Sequence, residues 1–168
     1  GDTQDLFIEK LKTINGKSFY KYQGKYCPVR TRTEVFDVKG GPAVKKTLSF
    51  TRHGVLLNSV LTNTVKHPMM PSAVESRYGI ALQTTEPDTD YSFDGMYDLN
   101  LAETMAEARA AIEKIRFMNL NFVYGDAENI AWQVSGCYPL RKKGRGHLPS
   151  PGWSGAYDWK GYLPLKNH

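Results

Sequence analysis

The residues with the clearest chemical potential lie near the start of the chain. Asp2 and Asp5 bracket Thr3 and Gln4, so two carboxylates and an intervening carbonyl could converge on a hard cation. The spacing alone favours a solvated loop, because an EF-hand-type site needs a longer run of oxygen donors around a central glycine, and that run is missing. A search for nucleophiles assigns no catalytic residue. Ser135 and Ser154 sit in no Gly-x-Ser-x-Gly elbow, and His53, His67, His147 and His168 show no metal-ligand spacing such as His-x-x-x-His. His53 falls at a strand-end turn in Arg52-His53-Gly54, where a histidine reads as a hydrogen-bonded structural residue. Gly40-Gly41 and Gly144-Arg145-Gly146 fall short of a phosphate-cradling pattern and read as turn glycines.

Composition narrows the remaining classes. A net charge of +5 permits weak attraction to nucleic acid, anionic lipid or acidic substrates without selecting one. The basic run Arg141 to His147, with Trp153, Tyr157, Trp159 and Tyr162 downstream, has the ingredients of a nucleic-acid footprint. It is brief, carries no module signature, and its aromatics sit beside Pro and Gly as packing residues do; a solvated loop with anchoring aromatics is the reading adopted, with no nucleic-acid partner. Cys27 and Cys137 are too few for a disulfide framework and too far apart for a zinc pair, which leaves two ordinary buried thiols. No apolar run approaches the ~20 residues that cross a bilayer, so no membrane partner is expected.

The elements that must position these residues are mostly strands. Aromatic residues make up 12% of the chain, ten of them tyrosines, which suits a pleated, half-buried surface and predicts a strand-rich α+β fold. Asp5 to Lys12 reads as a strand covered on both faces. Phe19 to Val29 reads as two short strands turning at Gln23-Gly24-Lys25. Thr33 to Val38 and Val44 to Thr51 flank the turn signal Gly40-Gly41-Pro42, and Ser76 to Gln83 is a further strand after a loop marked by Pro68 and Pro71. Glu86 to Asp98 is polar and acidic, a loop or the approach to the one main helix. That helix is predicted at about Leu101 to Arg116 from the apolar stripe Leu101, Met105, Ala108, Ile112 and Ile115, with Asn100 as cap and Glu103 as its reciprocal partner. Asn121 to Tyr124 and Ile130 to Val134 then form a hairpin, and Pro139 to His168 reads as an extended, ordered segment over a neighbouring surface.

Read in order, several segments resemble the large subunit of the penicillin acylase family of N-terminal nucleophile hydrolases, which includes acyl-homoserine lactone acylases. Gly1 to Leu11 is similar to the family's Asp-x-x-Asp-hydrophobic-Phe/Tyr-x-Glu-Lys/Arg-Leu segment, and Thr51-Arg52-His53-Gly54-Val55 to its Thr-Arg-His-Gly-Pro element. Asn121 to Asp126 with Asn129-Ile130-Ala131 resembles its Asn-Phe-x-Tyr-Ala-Asp and Gly-Asn-Ile-Gly hairpin. Leu148-Pro149-Ser150-Pro151-Gly152-Trp153 and Tyr157 to Pro164 resemble its Leu-Pro-x-Pro-Gly and Tyr-Asp-Trp-x-Gly-x-x-Pro tail. Glu128 stands where the family has glycine, and Val55 where it has proline, as in a divergent member.

The resemblance implies that residues 1–168 are a single internal segment of the large subunit, a strand-rich fragment of the four-layer α-β-β-α fold with several hairpins and one main helix. It implies a parent that cleaves a linear amide, of penicillin or N-acyl-homoserine lactone type, through an acyl-enzyme on an N-terminal serine whose own α-amino group is the base. That serine is expected upstream of Gly1. One oxyanion-hole donor is expected just before the chain and the other, an asparagine, after it, so the segment alone is expected to be inactive. His53 is not the base in the family. Asp2, Gln4 and Asp5 take the positions of calcium ligands, completed elsewhere in the parent. The implied partners are a small acyl-amide substrate and the rest of the precursor, meaning the small subunit and the remaining large subunit; exposed strand edges also allow homo-oligomers. Export to the periplasm or medium follows from the resemblance alone. The competing reading is a stand-alone, noncatalytic β-rich binding module that presents its basic and aromatic tail.

Overall fold

The computed structural model describes residues 3–60, 77–85 and 89–165. Asp2 and the Pro68 to Pro71 loop lie outside the described residues. The chain divides into two compact units, one comprising Gln4–Thr84 with Lys142–Asp158 and the other Gly1–Thr3 with Thr85–Arg141 and Trp159–His168.

The first unit is built on β1 (Gln4–Ile14), whose inward positions Asp5, Phe7 and Glu9 alternate with less buried neighbours. β2 (Lys17–Tyr22) and β3 (Lys25–Pro28) follow through two-residue turns at Asn15-Gly16 and Gln23-Gly24. All four turn residues have positive φ, the type I′ geometry whose twist matches the flanking strands. β4 (Arg30–Phe36) and β5 (Val44–Thr51) form the long hairpin expected around Gly40-Gly41-Pro42, and β6 (Gly54–Leu56) and β7 (Tyr78–Thr84) complete a sheet of order β3-β2-β1-β7-β6-β5-β4. All of these neighbours are antiparallel.

The tail expected as one extended segment over Pro139 to His168 is divided, only Lys142–Asp158 belonging to this unit, where β11 (Ser150–Pro151) pairs parallel with the middle of β1, Phe7 opposite Ser150 and Ile8 opposite Pro151. A 3-10 turn at Gly152–Ser154 follows, and Gln23 N donates to the Trp153 carbonyl at 2.8 Å. Trp153 packs against Tyr78, and Lys10 Nζ lies 4.2 Å from its ring centre, so this tryptophan is the anchor that its sequence context suggested.

The second unit corrects the helix. α1 (Ser92–Leu101) overlaps Glu86 to Asp98, expected as a loop or the approach to the helix, and α2 (Met105–Lys114) begins later than Leu101. The cap is Thr104 with Glu107 in a reciprocal capping box, not Asn100 with Glu103. Leu101 belongs to the end of α1 and is 61% exposed, whereas Ala108, Ala111 and Ile112 carry the buried face of α2 and Ile115 is buried at its C-cap. Ala102, extended at ψ 124°, separates the two helices.

α1 has poor intrinsic propensity, with Gly95 and Asn100 inside it, and forms because α2 holds it closely. A Cβ on Gly95 would sit 2.7 Å from the Ala111 carbonyl oxygen and 2.8 Å from Ile115 Cγ1. Buried Ser92 adds a polar lock, its Oγ accepting from Arg116 N and Phe117 N at 3.0 Å each and donating to Asp90 Oδ1 at 2.7 Å.

β8 (Asn121–Gly125) and β9 (Ile130–Val134) form the predicted hairpin, and β10 (Pro139–Arg141) pairs with β12 (Trp159–Tyr162). Asp126 shapes the β8–β9 turn by accepting from the backbone N–H groups of Glu128 and Asn129 at 2.9 and 2.7 Å.

Candidate functional site

The densest polar cluster among the described residues lies in the first unit and is centred on His53. The chain turns from β5 to β6 at Arg52-His53, and Gly54 takes φ +106° where a Cβ would lie 2.0 Å from the Leu82 carbonyl oxygen, so glycine is required for β6 to lie against β7. That tight turn sends the His53 ring under the sheet, where it is 2% exposed and stacks on Phe7 at 4.1 Å between ring centres. Thr51 braces the turn, its Oγ1 accepting from His53 N at 3.1 Å and donating to Glu9 Oε1 at 2.8 Å.

Both ring nitrogens face carboxylates. Nδ1 is 2.7 Å from Glu9 Oε1 on β1, and Nε2 is 3.0 Å from Asp158 Oδ1 at the end of the tail segment. An imidazolium matches this arrangement by donating on both sides; a neutral ring would set a lone pair against one carboxylate oxygen unless that carboxyl held the proton. The far oxygen of Asp158 accepts from Tyr22 Oη at 2.7 Å and pairs with Arg52 Nη1 at 2.9 Å, with Lys142 Nζ at 3.6 Å. The Arg52 guanidinium also lies 3.9 Å from the centre of the Tyr22 ring, so one cation serves a carboxylate and an aromatic face. Burial raises the nearby Tyr20 phenol above its ordinary value, Cys27 adding to the shift and the Arg52 backbone hydrogen bond opposing it.

Chemically, this cluster binds strands together. His53 has no free nitrogen for a substrate, Phe7 covers one face of its ring, and Glu9 is fully buried. The expectation of a hydrogen-bonded structural histidine is met. Its partners Glu9 and Asp158 were missed by sequence reasoning. The signal was present in β1, where Asp5, Phe7 and Glu9 share one face by strand period, so that a strand covered on both faces must bury two carboxylates.

Of the candidate metal ligands, Gln4 and Asp5 are among the described residues. Gln4 is exposed and Asp5 is buried, with side chains on opposite faces of β1, and no three His, Cys, Asp or Glu side chains converge as metal ligands among the described residues. Cys27 and Cys137 are free as expected, but Cys27 is only half-buried, on a short strand near the sheet edge, so the buried-thiol reading holds for Cys137 alone. Arg116 Nε donates to Cys137 Sγ at 3.3 Å, which holds the guanidinium proton more firmly than usual. Of the expected solvated loop Arg141 to Arg145, Lys142 to Arg145 is exposed, with Lys142 N tied to the Asp158 carbonyl at 3.0 Å, whereas Arg141 is half-buried at the end of β10.

Comparison with known proteins places this geometry in context. The family model described as penicillin amidase matches residues 1–168. An acyl-homoserine lactone acylase, QuiP of Pseudomonas aeruginosa, is 44% identical over 162 residues, covering 96% of this chain and 19% of the relative. A penicillin acylase 2 proenzyme of a Pseudomonas species is 30% identical over 164 residues, covering 97% and 19%. Among solved structures, a thermostable penicillin G acylase from Alcaligenes faecalis superposes with a TM-score of 0.76 at 19% identity, over 99% of this chain and 28% of that one. The chain thus spans about one fifth of the length of the curated relatives it matches.

Proposed function

Because this chain belongs to the penicillin amidase family, we propose that it is an internal segment of the large subunit of an amidohydrolase that cleaves a linear amide of penicillin or N-acyl-homoserine lactone type. The observation that carries this reading is the family match over residues 1–168 in a chain that spans one fifth of its acylase relatives. In the proposed mechanism an N-terminal serine of the longer polypeptide attacks the amide carbonyl, and its own α-amino group takes the proton, so nucleophile and base share one residue. Oxyanion donors from outside residues 1–168 stabilise the tetrahedral intermediate. The segment itself supplies scaffold. Its buried histidine cluster fixes the tail segment Lys142–Asp158 to β1 and β2 and offers no open acid or base, which supports a positioning role.

The measurement that tests this is the intact mass of the polypeptide expressed from its full gene, run beside an amidase assay with acyl-homoserine lactones and a phenylacetyl chromogenic amide. Two subunits with turnover are expected, and the 168-residue chain assayed alone is expected to be inert. A single inert product of about this size overturns the reading in favour of a noncatalytic binding module.

Calcium belongs to the same proposal. The buried Asp5 carboxylate, the Gln4 carbonyl beside it and Asp2 are oxygen donors of the kind a calcium site uses, and the rest of the cage is assigned to the longer polypeptide. Calcium is expected to raise the melting temperature of that polypeptide and Asp5→Asn to abolish the rise; no calcium-dependent shift sinks the site. Periplasmic or secreted location is part of the proposal too, tested by cell fractionation. No helix among the described residues is long and apolar enough to cross a membrane.

A further inference from the structure

β4 lies at the end of the sheet order, with β5 as its one ladder partner among the described residues, so its outer edge offers backbone N–H and C=O groups for pairing. Its residues are exposed apart from Glu34, which is half-buried. Charge commonly blunts such an edge, and β4 carries Arg30, Arg32 and Glu34 on one face. These charges are arranged symmetrically. Arg32 and Glu34 flank Thr33 and pair with each other along the strand, and Thr31 and Val35 flank Thr33 next.

A second β4 laid antiparallel along the first meets it across a two-fold axis perpendicular to the sheet. Opposed residues must point to the same face, so that axis passes through a residue and not between two. Centred on Thr33, it sets Arg32 of each copy opposite Glu34 of the other, Thr31 opposite Val35, and Arg30 opposite Phe36. Centred on Arg32 or Glu34, it sets that charge against its own copy. Centred on Thr31 it opposes Arg30 to Arg32, and on Val35 it opposes Glu34 to Phe36. Among these centres Thr33 alone matches opposite charges.

We infer that β4 is a dimerisation edge, on which a second copy of this chain pairs antiparallel about Thr33 and continues the sheet from one copy into the other. A second copy is the occupant because the charge pattern of the edge is complementary to itself. The same charges repel displaced registers and leave an unrelated strand without matched partners, so one device excludes stray pairing and admits this one. The inference stands apart from the acylase reading.

Sedimentation of the full-length polypeptide over a concentration series tests it. A reversible dimer is expected. Arg32→Glu sets glutamates against each other in both symmetric pairs and should raise the dissociation constant about ten-fold or more, as should Glu34→Arg. The double reversal, Arg32→Glu with Glu34→Arg, should return it to within about three-fold of the unsubstituted value. The two side chains are 67% and 39% exposed, so all three variants are expected to melt like the unsubstituted protein. Under oxidation Thr33→Cys, on the axis, should form a disulfide between copies, whereas Val35→Cys, which faces Thr31 of the other copy, should not. A polypeptide that stays monomeric at every concentration overturns the inference, and β4 amides protected from exchange in that monomer would show that the longer polypeptide covers the edge itself. A dimer indifferent to Arg32→Glu, a double reversal no better than the single ones, or equal cross-linking at positions 33 and 35 overturns it too. Subunit mass and turnover decide the acylase reading, whereas the charge reversals decide the edge, so either can fail alone.

Discussion

A Cβ on Gly152 would lie 2.6 Å from Glu9 Oε2 and 3.1 Å from His53 Nδ1. The tail segment therefore approaches β1 so closely that its backbone closes the pocket holding the Glu9 carboxylate, and Oε2 is buried there without a hydrogen-bond partner.

Gly152→Ala should be destabilising although the added group is one methyl. The methyl meets a fully buried carboxylate whose other oxygen is held by Thr51 and His53, so either those bonds or the contact of the tail with β1 must give. Urea unfolding is expected to show a loss of about 1–3 kcal/mol. An unchanged midpoint would mean that the tail is free to shift outward.

His53→Leu should cost more, because it keeps the volume and removes the donor between two buried carboxylates. Breaking a buried ion pair on one side costs about 3–5 kcal/mol. Combining His53→Leu with Glu9→Leu should recover part of that loss, as one uncompensated carboxylate is removed. A double-mutant cycle with no coupling between the two positions would sink the account of His53 given above.

Gly95→Ala tests the helix pair. The methyl is aimed at the Ala111 carbonyl and Ile115, which are backbone and core atoms, so α1 must move away from α2. A loss of about 1–3 kcal/mol is expected, together with faster amide exchange along Ser92–Leu101. Asn100→Ala, by contrast, should leave the start of α2 intact, because Thr104 caps that helix.

Two carboxylates set a pH dependence. Backbone N–H groups of Glu128 and Asn129 hold Asp126 below its ordinary value, and those of Glu103 and Thr104 do the same for Glu107. A group whose folded value is depressed stabilises the fold above the ordinary carboxylate range and loses that contribution as pH falls through the lowered value. NMR titration should place both midpoints below those of unfolded peptides. Asp126→Asn should remove the acid sensitivity of the β8–β9 turn; a midpoint at the ordinary value for Asp126 would contradict its cap.

Local pattern made much of the fold legible. β1 announced itself through Leu6 to Leu11, and the hairpins through Gln23-Gly24 and Gly40-Gly41-Pro42, because turn chemistry is a property of neighbours in sequence. Leu101 misled because it falls in phase with the α2 stripe although the chain is extended at Ala102, and the Thr104–Glu107 capping box was the better start signal. α1 was hidden because its stability comes from Gly95 meeting Ala111, a contact across a turn that local propensity does not register. In the site, the turn and role of His53 were readable, whereas Glu9 and Asp158 were not, since only the folded sheet brings positions 9, 53 and 158 together.

The sequence separations in that cluster dictate an order of assembly. Tyr22 and Asp158 are 136 residues apart, and His53 and Asp158 are 105 apart. Such closures carry the largest loop entropy and come late, after the local hairpins have formed. During synthesis β1 and the His53 turn emerge ahead of the tail that seats Gly152 over Glu9, which arrives only after the whole of Thr85–Arg141 has been made. Until then the middle of β1, at Phe7 and Ile8, has an open edge beside a buried-to-be carboxylate and histidine. Glu9 is then a guard as well as a tie: its carboxyl group makes that edge a poor template for stray strands until the tail segment arrives.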